Sequence, residues 1–223
     1  VSDFSLPTTK EHTTIIGRTG SGKTQAGAWL LSEAPFDEMP YVIIDYKGDE
    51  LLNSVGAEPW VVTADPPEKP GLYIVHLRPD QEEELDEFLW KVHAKGYTGL
   101  YFDEGFMVAK SKALEAILMQ GRSKHIPCFV LSQRPSWMSR YAFSEASHFA
   151  VFHLNDRRDQ MKVKEFFRNY NEDRLKKYHA QWYAVNHDSN FMLQPVPSAD
   201  KIRERFDERL TAMRDERNHK RFI

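Results

Sequence analysis

Eight residues near the start of the chain limit its folding choices more than any other feature. Gly17-Arg-Thr-Gly-Ser-Gly-Lys23-Thr24 fits the pattern G-x-x-x-x-G-K-[ST]. A short β-rich run, residues 13–16, precedes it, and a helical period opens at Lys23. Strand, glycine loop and helix in that order make a cradle for phosphate. Gly17, Gly20 and Gly22 let the backbone wrap an anion without Cβ clashes. Together with Arg18, Thr19 and Ser21 they aim successive amides and a helix N-terminus at it. Lys23 brings a point charge to the β- and γ-phosphates, and the Thr24 hydroxyl ligates magnesium. ATP and Mg²⁺ are the expected ligands of residues 17–24. Ala26, Trp29 and Leu30 are expected to pack the helix on the sheet, with the small Gly27 allowing close approach.

The rest of the chain alternates β-rich runs with helical periods, which predicts an α/β fold with a mostly parallel central sheet flanked by helices. Strands are expected at 13–16, 41–45, 72–77, 100–103, 128–132 and 149–154. A late hairpin is expected from 181–185 and 190–193. Helices are expected at 23–32, at 81–95 with Asp80 as N-cap and Gly96 as stop, at 112–122, at 157–167 and at 172–178. From residue 198 onward Ile202, Phe206, Leu210 and Met213 recur at helical spacing among arginines and acids. They predict an amphipathic helix that is either solvated or docked on a neighbour. Residues 1–223 read as one domain, with a core of about 10–160 and the hairpin and helix in about 161–223.

A hydrophobic content of 41% allows a real core, and a net charge of -3 argues against coating nucleic acid by bulk charge. Any DNA contact must come from a local patch or a ring of subunits. The lone cysteine, Cys128, excludes an intrachain disulfide and reads as a buried strand thiol. No apolar run approaches the roughly 20 residues of a membrane helix, and residues 1–10 lack a signal-peptide pattern, so a soluble protein is expected. The nine histidines form no metal-ligand spacing.

A phosphate loop that hydrolyses its nucleotide also needs an acid to hold magnesium and a base for water. The run Leu100-Tyr-Phe-Asp103-Glu104 ends in both. Asp103 is the candidate magnesium acid, acting through water, and Glu104 the candidate base. Side chains alternate along a strand, so both reach one site only if the strand stops near Asp103, a break that Gly105 permits. The following core strand ends in Ser132-Gln133-Arg134-Pro135, and Gln133 is placed to bond the γ-phosphate or the lytic water. Arg122, at the end of the intervening helix, suits an arginine finger supplied to a neighbouring subunit. Its other reading is a basic residue that complements the helix dipole.

As a set, Asp45-Tyr-Lys-Gly-Asp-Glu50, Phe102-Asp-Glu104, Gly121-Arg122 and Ser132-Gln-Arg-Pro-Ser136 resemble the FtsK–HerA superfamily of DNA-pumping ATPases, which are RecA-like P-loop proteins. Tyr46 stands where that superfamily usually has proline, and the roles of Asp45 and Lys47 stay unassigned. The compact chain is most similar to the genome-packaging ATPases of tailless, membrane-containing viruses and phages. The resemblance implies a homo-oligomeric ring, a hexamer, that pumps double-stranded DNA into a preformed capsid at a packaging vertex. Capsid-vertex or portal-like proteins would be its partners, and the virion and the host cytoplasm its locations. In RecA-like rings the loops after the acid-pair and sensor strands face the pore, which implicates Lys110, Lys112, Trp137 and Arg140 in DNA contact. Three other readings remain open: a filamentous-phage-type export ATPase, a P-loop small-molecule kinase, and a binding-only nucleotide switch.

Overall fold

The computed structural model describes residues 5–78, 80–167 and 169–219. Its centre is a nine-stranded sheet of β1 (His12–Ile16), β2 (Pro40–Asp45), β3 (Glu58–Pro59), β4 (Gly71–His76), β5 (Gly99–Asp103), β6 (Cys128–Ser132), β7 (Ala146–Val151), β8 (Ala180–Ala184) and β9 (Ser189–Leu193). The spatial order is β3-β4-β2-β5-β6-β1-β7-β8-β9. All neighbours from β3 through β7 are parallel, and the β8–β9 hairpin adds two antiparallel strands at one edge. The expected mostly parallel sheet and late hairpin are both present.

Helices cover both faces because the strands are apolar on both. In β2, Tyr41 and Ile43 point to one side and Val42 and Ile44 to the other, as a two-residue period requires. On one side lie α3 (Glu82–Lys95), α4 (Lys112–Lys124), α5 (Tyr141–Ser144) and α6 (Arg157–Phe166). They contribute Leu85, Phe88, Ile117, Phe143 and Val163 to the core. On the other lie α1 (Lys23–Glu33), α2 (Glu50–Asn53) and α7 (Ala199–His219), with Leu30, Leu52, Ile202 and Phe206. Gly27 of α1 meets the sheet closely: a Cβ there would come within 2.8 Å of a Leu131 methyl.

Two local expectations are corrected. The N-cap of α3 is Gln81, while Asp80 pairs with Arg78 at 3.2 Å. Helix 172–178 reduces to one 3₁₀ turn at Glu172–Arg174. There the Glu172 carboxylate accepts from the Leu154 amide at 3.1 Å, and Tyr178 is left-handed at φ 64°. A tertiary contact thus takes a residue that propensity assigned to a helix. The apolar face of α7 is covered by the chain itself. Phe206 stacks on Phe36 at 5.9 Å, Arg209 lies over that ring at 4.1 Å, and Arg205 forms a two-pronged bond to Glu33. Arg209 also donates to the Ser32 and Ala34 carbonyls at 2.6 and 2.7 Å, which satisfies the open end of α1.

His12 ties β1 to its neighbours. Its Nε2 donates to the Leu118 carbonyl at 3.1 Å and its Nδ1 accepts from the Cys128 amide at 3.1 Å. Burial lowers its pKa to about 4, and Arg122 pushes the same way. The folded state therefore favours neutral imidazole, while the unfolded chain titrates at the ordinary value. Stability from this residue is complete above about pH 6.5 and falls as the pH drops towards 4. At pH 5 the loss relative to pH 7.5 is about 2 kcal/mol. Urea unfolding of the wild type and His12→Gln at both pH values should show the variant lacking that part of the slope. Equal slopes would mean that His12 protonates freely in the fold.

Candidate active site

The register of the sheet sets one row of residues at the carboxyl ends of the strands. Asp45 pairs with Asp103, Asp103 with Leu131, and Ile16 with Ser132. In open α/β sheets this is the end that binds ligands. The loop 17–22 leaves β1 in that row. Gly20 and Gly22 have φ of 74° and 97°, a left-handed backbone that side chains rarely adopt. Neighbouring strands anchor the loop: the Gly17 amide donates to the Ser132 carbonyl at 3.2 Å and the Arg18 amide to the His153 carbonyl at 3.1 Å.

The candidate side chains meet around this loop. Lys23 is buried, with its Nζ 3.4 Å from Glu104 Oε1. Thr24 Oγ1 lies 3.3 Å from Asp103 Oδ1. Thr19 donates its hydroxyl to Gln133 Oε1. Burial pushes the Asp103 carboxyl up, opposed by Lys23 and Lys47, and pushes the Lys23 ammonium down, opposed by Asp103 and Asp49. The acid and the amine thus hold each other's charge in a place poorly reached by water.

Strand β5 ends at Asp103, as expected, but the break differs from the expectation. Glu104 itself is left-handed, at φ 81° and ψ 60°, and Gly105 opens a 3₁₀ turn behind it. Strain of about 1–3 kcal/mol at a non-glycine residue of this kind gathers at functional sites. Here it turns consecutive carboxylates, both 1% exposed, towards one loop. Glu104 Oε2 is buried with no hydrogen-bond partner among the described residues.

Lys47, unassigned in the sequence, forms an ion pair with Glu104 Oε1. Asp45 accounts for its position. The buried Asp45 carboxylate accepts from the Lys47 amide at 3.0 Å and the Gly48 amide at 2.9 Å, folding the chain after β2 into a tight turn. The available signal was the Asp-x-Lys-Gly spacing just past a core strand.

Other candidates lie elsewhere. Arg122 stands near the opposite, amino-terminal ends of β1 and β7, where its Nη2 donates to Ser147 at 3.2 Å. It does not reach the loop of its own chain. Trp137, 63% exposed, packs edge-on against Phe106 at 5.9 Å and lies under the Arg134 guanidinium at 5.6 Å, so the turns after β5 and β6 touch. Lys110 and Lys112 flank the start of α4, and Lys112 is already paired with Glu115 at 2.8 Å. Arg140 covers the Phe166 ring at 5.9 Å.

The loop borders two hollows. One, about 420 Å³, lies between Arg18, Thr19, Gln133, Arg134 and Asn155. The other, about 360 Å³, runs from Gly20 and Gln25 to Asp49 and Arg203. Among the described residues no three His, Cys, Asp or Glu side chains gather as a metal centre. The Thr24–Asp103 oxygen pair nonetheless suits Mg²⁺, which keeps several waters and takes substrate phosphate oxygens rather than a full protein cage.

No family model matches the chain. A DNA packaging ATPase, P9 of Enterobacteria phage PRD1, is 39% identical over 214 residues, spanning 91% of this chain and 94% of its own. Among solved structures, the genome packaging NTPase B204 of Sulfolobus turreted icosahedral virus 2, in complex with AMP, superposes with a TM-score of 0.65 at 18% identity, over 86% of this chain and 100% of its own. VirB4 of Thermoanaerobacter pseudethanolicus superposes with a TM-score of 0.61 at 10% identity, over 84% and 90%. At such low identity these two likenesses speak for the fold alone.

Proposed function

The chain belongs to the family of the phage DNA-packaging ATPases, and from that premise we propose that it is an ATP-driven motor that moves double-stranded DNA into a preformed capsid. One observation carries the reading: the tips bearing Glu104 and Gln133 both reach the phosphate loop, through Lys23 and Thr19.

The work of each residue follows from its place. Amides of residues 17–24 and the Lys23 ammonium bind the phosphate chain. Thr24 and Asp103 would hold Mg²⁺, which, when bound, supplies positive charge to the phosphate oxygens. Glu104 Oε2 takes a proton from the attacking water as its oxygen bonds to the γ-phosphorus and the bridging oxygen leaves with ADP. Gln133, tethered to the loop by Thr19, orients the water or the γ-phosphate.

Arg122 acts on a neighbouring subunit's nucleotide in a ring, which fits its distance from its own loop. The turns after β5 and β6, with Lys110, Lys112, Trp137 and Arg140, face DNA and need only backbone phosphate contacts to track it. Capsid-vertex proteins complete the assembly, in the virion and the host cytoplasm. Among the described residues no helix is long and apolar enough to cross a membrane.

The test is steady-state ATPase activity of the oligomer with and without long duplex DNA, its assembly followed by electron microscopy. Stimulation in a ring is expected. Phosphoryl transfer to a small acceptor by a monomer would instead establish a kinase. In the assembled ring, Arg122→Ala should bind ATP normally and turn it over about 10²-fold more slowly. A normal rate would remove Arg122 from the active site.

A further inference from the structure

The pairing of Lys47 with Glu104 gives the turn after β2 a place in the chemistry. We propose that Lys47 is a positioning residue: it anchors Glu104 Oε1 so that Oε2 alone faces the attacking water. This rests on the reading of Glu104 as the base.

The placement follows from the register. Asp45 and Asp103 pair across β2 and β5. Lys47 is two residues past the first and Glu104 one residue past the second, so the two elements leave the sheet side by side. The Asp45 turn prevents the Lys47 backbone from drifting, since its carboxylate holds the amides of Lys47 and Gly48 and lies 3.4 Å from the His76 ring. Asp45 is 1% exposed and fixed within the sheet.

Two ammonium groups meet one oxygen of Glu104, with Lys23 at 3.4 Å and Lys47 in direct contact, while Oε2 has neither. When a triphosphate fills the loop, Lys23 turns to the β- and γ-phosphates. Lys47 is then the cation left to hold Oε1. A carboxylate with one oxygen tied and one bare has a single orientation from which to accept a proton. An untied one at the end of a strained left-handed residue samples several, and a misplacement of about 1 Å costs on the order of 10² in rate. The stem of Lys47 is partly exposed, so shortening it leaves no core cavity.

The test uses the full chain with two readouts: binding of a fluorescent ATP analogue, and steady-state turnover. Lys47→Ala should keep analogue affinity within about threefold while kcat falls about 10- to 100-fold. Lys47→Arg, which keeps a cation, should recover a large part of kcat, and Lys47→Met, which keeps the stem alone, should not. Asp45→Ala, with Lys47 intact, should lower kcat in the same way. Combining Lys47→Ala with Glu104→Gln should be no slower than Glu104→Gln alone, because both act through one carboxylate.

A kcat for Lys47→Ala within threefold of wild type overturns the proposal. So does a loss of affinity as large as the loss of rate, which would put Lys47 on the phosphates, and so does full additivity in the double variant. Failure of the underlying reading is distinct: Glu104→Gln would itself turn over normally.

Discussion

Glu104→Gln should bind ATP as the wild type does and turn it over about 10²- to 10⁴-fold more slowly. The substitution keeps the size and the acceptor oxygen of a side chain that is 1% exposed, so it opens no cavity. It removes the ability to take a proton at the position of Oε2, the oxygen that is buried without a partner. It also replaces an anion beside Lys23 and Lys47 by a neutral amide. That change leaves both lysines more available to phosphate and gives no reason for weaker binding. The signature is therefore a collapse of kcat with nucleotide affinity preserved, measured by single-turnover hydrolysis beside analogue binding. Turnover within threefold of wild type would exclude Glu104 as the base and favour a binding-only switch.

Lys23→Ala should fail one step earlier. Its ammonium is buried beside the anion cradle, and without it Asp103 and Glu104 lie beside the loop with Lys47 left to offset them. Two carboxylates facing a triphosphate oppose binding, so both ATP turnover and DNA packaging are expected to vanish. The distinguishing measurement is ligand-induced stabilisation. A ligand at 100 times its Kd adds about 2.7 kcal/mol to folding stability. ATP with magnesium should therefore raise the melting temperature of wild type and of Glu104→Gln and leave that of Lys23→Ala unmoved. A normal shift in Lys23→Ala would place the phosphates away from the loop.

Much of this geometry was legible in advance because it is local or periodic. The eight-residue loop carries its own instructions: glycines where φ is positive, then lysine and threonine as a helix begins. Short β-rich runs between helical periods marked the core strands, and chemistry linked Asp103, Glu104 and Gln133 to the loop because strand tips are where an α/β sheet binds ligands. Local pattern was not enough where a contact from afar took over a residue. Glu172 was drawn from an expected helix to the Leu154 amide. Glu104, rather than Gly105, took the left-handed turn, and the glycine serves instead where a Cβ would meet a Val130 methyl.

The sequence by itself determined that a phosphate loop would sit at the end of a buried parallel strand, with an acid pair and a glutamine on other strand tips. Those outcomes depend on backbone sterics and on two-residue or 3.6-residue periods, which a linear chain displays. Only the tertiary structure decided that Lys47 would meet Glu104, that α7 would close on α1, and that Arg122 would stand at the far end from its own loop. The first depends on the pairing of β2 with β5, the second on packing across one face of the sheet and the third on the return of α4 to the amino-terminal ends of the strands, and all are contacts between residues far apart along the chain.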